Sequence, residues 1–273
     1  MSKFSTIIGV LLGITVILMN IVDTETGEFL AAFLNWKALL VVLGGTFAAA
    51  FINYPFSQMI CFFKGFGKVF VAEPVTQREG IEQLLELSKL AHSNGLLELE
   101  KHVERQNDRF LQFSLSEMLI YREDAQLLSS LNNHLNAMKL RHLNCQDIFN
   151  NMATYAPAFG MMGTVMGLIL MMTSQLNGGD ASAASSSNDM LGSLLTGMGL
   201  ALVTTFYGVL MANLIFTPMA GKLGVLSDAE MAKNEIIMQG IIAIKNSMPT
   251  SLLKEYMLSN LSYQQKLDIE LTL

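Results

Sequence analysis

Ala156-Pro157-Ala158-Phe159-Gly160-Met161-Met162-Gly163-Thr164-Val165-Met166-Gly167 opens a long apolar segment, and its one proline, three glycines and one threonine decide the fold. A soluble core helix has no use for that combination. Inside a helix, Pro157 withholds the amide proton that the carbonyl of Ala153 would otherwise accept. In lipid such a defect persists only where neighbouring groups repair it. Gly160, Gly163 and Gly167 recur at spacings of three and four, so they form a smooth stripe on which a second helix can lie closely, with Thr164 on or beside it. The stretch reads as part of a membrane-spanning helix packed against others.

The rest of the composition agrees. The chain has 273 residues, 51% hydrophobic and only 15% charged, with 19 Met, and its mean hydropathy of +0.41 is too high for a water-soluble domain of that size. Net charge is -6, and no basic run is dense enough to follow a phosphate backbone, which excludes nucleic-acid binding. Cys61 and Cys145 lie far apart, lack metal-ligand spacing and fall in segments assigned to the cytoplasmic side, so they are expected to remain reduced thiols.

Working outward gives four spans. Ser5 to Val22 is an apolar run close to the ~20 residues a spanning helix needs. A cleaved signal peptide would also begin this way, but no small-x-small site follows Val22. Ala38 to Ile52 is the second span, with Gly44-Gly45 as a narrow contact surface and Pro55 closing it. The third runs from Ala153 to Leu176, and the fourth from Met190 to Phe216, with Pro218 at its end. The loops 23–37 and 177–189 hold only Lys37, whereas Lys3, Lys64, Lys68 and Lys222 flank the spans on the other side. By the positive-inside rule both termini are cytoplasmic. The expected architecture is an all-α integral membrane protein. Residues 1–54 form a transmembrane hairpin, 55–152 a cytoplasmic helical domain, 153–218 a second transmembrane hairpin and 219–273 cytoplasmic C-terminal helices.

Within the cytoplasmic part, Thr76-Gln77-Arg78-Glu79 has the form of a capping box, followed at helical spacing by Ile81, Leu84, Leu85 and Ala91 until Asn94-Gly95. A second short helix starts near Leu96. Leu128, Leu131, Leu135 and Met138 form a packing seam. No proline falls between Pro74 and Pro157, so the last helix of this region is expected to run unbroken into the third span. Ser227-Asp228-Ala229-Glu230 reads as a second capping box starting an amphipathic tail helix through Ile236, Ile237, Ile241 and Ile244, and Pro249 separates a last helical segment.

No Asp, Glu, Lys, Arg or His lies inside the four spans. A protein that conducts ions usually places an ionisable residue there, so either this chain conducts nothing or a partner supplies the carboxylate. Thr164, Thr204 and Thr205 could add oxygen ligands of the kind hard cations prefer, with the glycine stripe facing the ion path. For each threonine alone, bonding to its own helix is the weightier reading. Pro157 and Pro218 are kinks by default; at the ends of two spans they also suit hinges. His92, His102, His134 and His142 form no metal-ligand pair, and no phosphate loop or nucleophile elbow is present, so no enzyme is expected.

These residues resemble the MotA/PomA stator subunits of the bacterial flagellar motor, within the MotA/TolQ/ExbB channel superfamily. The resemblance rests on Leu43-Gly44-Gly45-Thr46-Phe47-Ala48-Ala49 with Tyr54-Pro55, on Ala156 to Gly167, on Thr204-Thr205-Phe206-Tyr207-Gly208 with Ala212-Asn213 and Pro218, and on Ile236 to Ile244. It implies a multi-pass protein of the bacterial inner membrane, a homo-pentamer surrounding two helices of a single-span, peptidoglycan-binding MotB/PomB-like partner. The partner's aspartate would bind and release the ion as the ring turns. The resemblance implies no cofactor beyond the transported Na+ or H+ and no metal beyond transient Na+. Thr164 matches a position that is Thr in sodium-driven members, which favours Na+.

The resemblance also implies a rotor-facing surface for a FliG-like flagellar rotor, with His92, Glu98, Glu100, Lys89, Lys101 and Arg105 as candidates. There the family's basic motif reads His92-Ser93-Asn94-Gly95, and its membrane-proximal Asp is Thr154. Two other readings stand beside flagellar rotation: the same motor with a non-flagellar load, and a passive membrane scaffold.

Overall fold

The computed structural model describes residues 2–21, 33–71, 75, 77–103, 106, 108–177, 187–259, 261 and 266. The sequence features placed on Thr76, on Arg105 and on the loop around Asp180 lie outside them. Among the described residues the chain is helical without strands: α1 (Ser2–Ile21), α2 (Trp36–Asn53), α3 (Phe56–Val71), α4 (Gln77–Asn94), α5 (Glu100–Val103), α6 (Arg109–Ile120), α7 (Asp124–Asn177), α8 (Ser187–Leu210), α9 (Thr217–Lys245) and α10 (Thr250–Ser259). A 3-10 turn, Leu96–Leu99, precedes α5, and a π-turn, Met211–Phe216, joins α8 to α9.

Three runs are long and apolar enough to cross a membrane: α2, a stretch within α7, and the continuous path from α8 into α9. The apolar part described in α1, Ile7–Met19, is shorter. The expected continuity of the third span is present, since α7 is a single helix of 54 residues with Pro157 inside it. The fourth span does not stop at Pro218. Its helix passes through the π-turn and on to Lys245.

The chain forms two compact units, each built from two separated stretches: Met1–Ala72 with Leu143–Leu223, and Glu73–His142 with Gly224–Leu273. In the first, Asn35 caps α2 by accepting from the amides of Lys37 and Ala38, and α2 ends where Pro55 cannot continue it. α3 buries Met59, Phe62, Gly65 and Val69 and leaves Phe56, Phe63 and Val71 exposed. Phe62 stacks on Phe149 of α7 with ring centroids 4.8 Å apart.

The α3–α7 contact corrects the expectation of two free thiols. Cys61 and Cys145 are disulfide-bonded, with Cα atoms 5.8 Å apart. Packing of two helices separated by 84 positions along the chain brings the sulfurs together, and no sequence spacing could reveal it.

The second unit closes around Ile81, Leu84, Phe110, Leu111, Leu115, Leu127 and Leu131 from its first stretch and Ile236, Ile237, Ile241, Ile244, Leu253 and Met257 from its second. Each fully buried Leu contributes about 2 kcal/mol by removal from water. α4 ends at Asn94, and Gly95 takes the left-handed conformation with φ 86°, which costs a residue without a Cβ little. The seam on α7 is carried by Leu127, Leu131, Leu135 and Met138; Leu128, one position off, is exposed.

Ser227 does not start a helix. It lies inside α9, buried, with its hydroxyl 3.0 Å from His142 Nδ1. A side chain engaged with a neighbouring helix is not free to cap its own. A true cap is Asp108, which accepts from the amides of Phe110 and Leu111 at the start of α6 and also pairs with Lys233 of α9, both side chains being largely buried. Burial by itself raises the Asp108 carboxyl; the hydrogen bond from Lys233 and the two backbone donors outweigh it and hold the group below its ordinary range.

Candidate functional site

The glycine stripe faces α8, not an open path. A Cβ on Gly160 would lie 3.0 Å from the Thr204 carbonyl oxygen and 3.3 Å from Gly208 Cα, and one on Gly167 would lie 2.9 Å from both Ala201 Cβ and the Gly197 carbonyl oxygen. The contact is reciprocal: a Cβ on Gly208 would lie 2.7 Å from the Ala156 carbonyl oxygen and 3.1 Å from Pro157 Cα. Two small-residue faces have met with their backbones almost touching, as membrane helices do when side chains are absent. Pro157 thus sits directly against Gly208. On the adjoining side, Gly45 of α2 receives the ring of Phe159.

The three threonines divide according to this contact. Thr204 is fully buried, donates to the Ala201 carbonyl at 2.8 Å and fills the space that a Cβ on Gly163 would need. Thr164 and Thr205 lie at the edge of the α7–α8 seam, half-buried, with their hydroxyl oxygens 3.4 Å apart. Thr164 donates to the Met161 carbonyl at 2.7 Å, with Gly160 at 3.3 Å, and Thr205 donates to Ala201 at 3.4 Å. Each hydroxyl has a carbonyl of its own helix within donating distance, and each oxygen keeps lone pairs that can accept. Around the pair the surface is apolar: Met161, Val165 and Leu202 are exposed.

The hinge candidates also have definite surroundings. Pro218 is exposed and follows the π-turn by two positions; such turns accommodate one extra residue in an otherwise α-helical path. Thr154 is exposed and donates to the Asn150 carbonyl at 3.1 Å.

The rotor-facing candidates are placed in part. Lys89 and His92 are exposed on α4, and Glu98, Glu100 and Lys101 follow in the short helices. Lys101 pairs with Glu98 at 2.9 Å; its hydrogen bond is the main reason the Glu98 carboxyl sits below its ordinary range. His92 reaches the Met248 carbonyl at 2.9 Å. The other histidines pack: His134 stacks on Phe113 with centroids 4.1 Å apart, His102 lies 3.2 Å from the Glu98 carbonyl, and His142 meets Ser227. Among the described residues no group of three or more His, Cys, Asp or Glu could hold a metal ion.

Sequence reasoning missed the tie between α8 and the entry to α2, where the Tyr207 hydroxyl donates to the Phe33 carbonyl and accepts from the Asn35 amide. Phe33 and Phe206 meet edge to face beside it. The signal available was one Tyr after the threonine pair, which does not identify a backbone acceptor.

Long apolar helices, closely packed through glycine and edged by hydroxyls, define a multi-pass helical membrane protein. The profile of the MotA/TolQ/ExbB proton channel family matches residues 102–236. Motility protein A of Treponema phagedenis is 31% identical over 244 residues, covering 89% of this chain and 89% of that protein. Chemotaxis protein PomA of Vibrio alginolyticus is 26% identical over 254 residues, covering 93% of each. In fold, the chain matches a chain of the flagellar MotAB stator complex from Bacillus subtilis with a TM-score of 0.79 and 24% identity, over 96% of this chain and 97% of that one. The chain belongs to the MotA/TolQ/ExbB proton channel family, and its affinity is with the MotA members. It is a channel component, not an enzyme.

Proposed function

We propose that the chain is a stator subunit of an ion-driven rotary motor of the bacterial inner membrane. The observation that carries this is the Thr164–Thr205 hydroxyl pair, 3.4 Å apart on the half-exposed edge of the α7–α8 seam, in spans that hold no ionisable residue. A cation site there lacks only a carboxylate. A MotB-like partner, single-span in this reading, would supply it inside a homo-oligomeric, pentameric ring; the likeness to chains of MotAB complexes supports such a partner. α1 is a span as well, which makes four in all, both termini and the Glu73–His142 region are cytoplasmic, and the load is the flagellar rotor, reached through the α4–α5 charges.

Na+ is favoured over H+ because two hydroxyl oxygens suit a hard cation. The test combines Thr164→Ala with replacement of Na+ by K+ at fixed pH. A sodium-driven motor loses most of its output in K+, and the variant loses most of it in Na+. Output that ignores both changes overturns the sodium reading. The glycine contact favours one other reading, a passive scaffold, because it explains the stripe without any ion. Purification from mild detergent separates them: co-purification of a single-span protein with a membrane-embedded Asp supports the motor, and a bare homo-oligomer supports the scaffold.

A further inference from the structure

We propose that Cys61 and Cys145 are a thiol–disulfide modification site that fastens α3 to α7, closed by exchange with a small-molecule disulfide and reopened by a dithiol reductant. The inference rests on the cytoplasmic placement of these segments, because that compartment is the one that keeps ordinary thiols reduced.

Both sulfurs sit on regular helix, so closure requires no loop to move, and the Cα separation of 5.8 Å is within the range a disulfide spans. Gly65, one turn along α3, lies in the same close contact: a Cβ there would be 3.3 Å from the Phe149 ring, 3.4 Å from Leu223 and 3.6 Å from Cys145 Sγ. The open state is accommodated too. Cys145 Sγ is 3.3 Å from the Cys61 carbonyl oxygen, so its thiol has an acceptor waiting. The two sulfurs also differ in access, Cys145 being 8% exposed and Cys61 half-buried. Lys64 and Lys68 lie three and seven residues on from Cys61, on its side of α3, and both are exposed, so an anionic reagent meets positive charge there.

This asymmetry sets the order of exchange. The Cys61 thiolate attacks one sulfur of glutathione disulfide, the S–S bond breaks, and one glutathione leaves as a thiolate that takes up a proton. The Cys145 thiolate then attacks the Cys61 sulfur of the mixed disulfide and expels the second glutathione. Two protein thiols are oxidised and one disulfide is reduced to two thiols. The bond fixes α7 about three turns before Pro157 and closes a loop of 84 positions that contains all of residues 73–142.

The test uses the full chain with its partner in inverted membrane vesicles, treated with glutathione disulfide, quenched in acid, alkylated with N-ethylmaleimide and weighed intact. The reduced protein is expected to carry two adducts, the oxidised protein none, and dithiothreitol restores both. Cys145→Ser is expected to retain one glutathione on Cys61, whereas Cys61→Ser takes up at most a tenth as much. Ion-driven output of the assembled complex should fall at least twofold on oxidation, recover on reduction and stay constant in Cys145→Ser. Two adducts surviving excess glutathione disulfide, a bond that resists dithiothreitol in the folded protein, or output equal in both states overturns the proposal. A membrane-impermeant maleimide on intact spheroplasts separates the underlying reading: labelling of Cys61 from outside overturns the cytoplasmic placement while the mass shifts still report the thiol chemistry.

Discussion

At the scale of the residue, the question is what one added carbon meets. A Cβ on Gly163 would fall 2.6 Å from Cβ and Cγ2 of Thr204, a branched side chain with no room to turn. Gly163→Ala is therefore expected to push α7 and α8 apart and cost about 1–3 kcal/mol, read as a lower thermal midpoint in detergent. Gly199, on the same helix as Thr204, has nothing within 4 Å of its would-be Cβ, so Gly199→Ala should leave the midpoint unchanged or slightly raised. A pair of equal shifts would contradict the contact described. The periodicity of Gly160, Gly163 and Gly167 was legible as a close-packing face, but not what it packs on. A stripe of small residues specifies that a neighbour comes near, and only the fold selects α8 and turns Thr164 and Thr205 outward. The Cys61–Cys145 bond was hidden for a different reason, because proximity between residues 84 apart leaves no trace in local spacing.

At the scale of the element, helix ends were read well where the chain alone decides them. The span of α7 followed from the missing proline, and the stop of α4 from Asn94-Gly95. They were misread where a neighbour intervenes, as at Ser227, whose hydroxyl is engaged by His142. The cap of α6 carries a pH prediction. Asp108 is held below its unfolded value, so its contribution is complete above the unfolded pKa of about 3.9 and is lost as pH falls through the lower folded value. Asn keeps the cap but strands a buried Lys233. Asp108→Asn should therefore cost about 3 kcal/mol at neutral pH and flatten the acid limb of a stability-versus-pH curve; adding Lys233→Met should recover a large part. The π-turn carries another. Deleting exposed Asn213 should convert Met211–Phe216 to α-helix with both flanks in register, whereas deleting Met198 within α8 rotates the glycine face by about 100°. Membrane-inserted yield is expected to survive the first deletion and collapse with the second.

At the scale of the whole molecule, the chain passes between its two units at 72/73, 142/143 and 223/224, and the last two passages lie inside unbroken helices. A chain truncated after Leu223 lacks Ile236, Ile237, Ile241, Ile244, Leu253 and Met257, a large part of the second core. Its residues 73–142 should then be cut by trypsin under conditions in which the full-length protein resists, while the apolar part of α7 after Leu143 and α8 remain membrane-protected. Resistance equal to the full chain would mean that the first stretch folds alone. Which stretch closes against α9 was not legible in the sequence, because the amphipathic pattern of α9 shows that it has a partner face and not which stretch supplies the partner.

That interleaving also has a consequence for synthesis. The apolar faces of α4 and α6 leave the ribosome long before α9 and α10 exist to cover them, and the spans of α7 and α8 are made in between. Insertion into the bilayer therefore precedes closure of the second core, and only a finished chain conceals those faces. An incomplete subunit leaves uncovered the same leucines that stabilise a complete one, among them Leu84, Leu111 and Leu115.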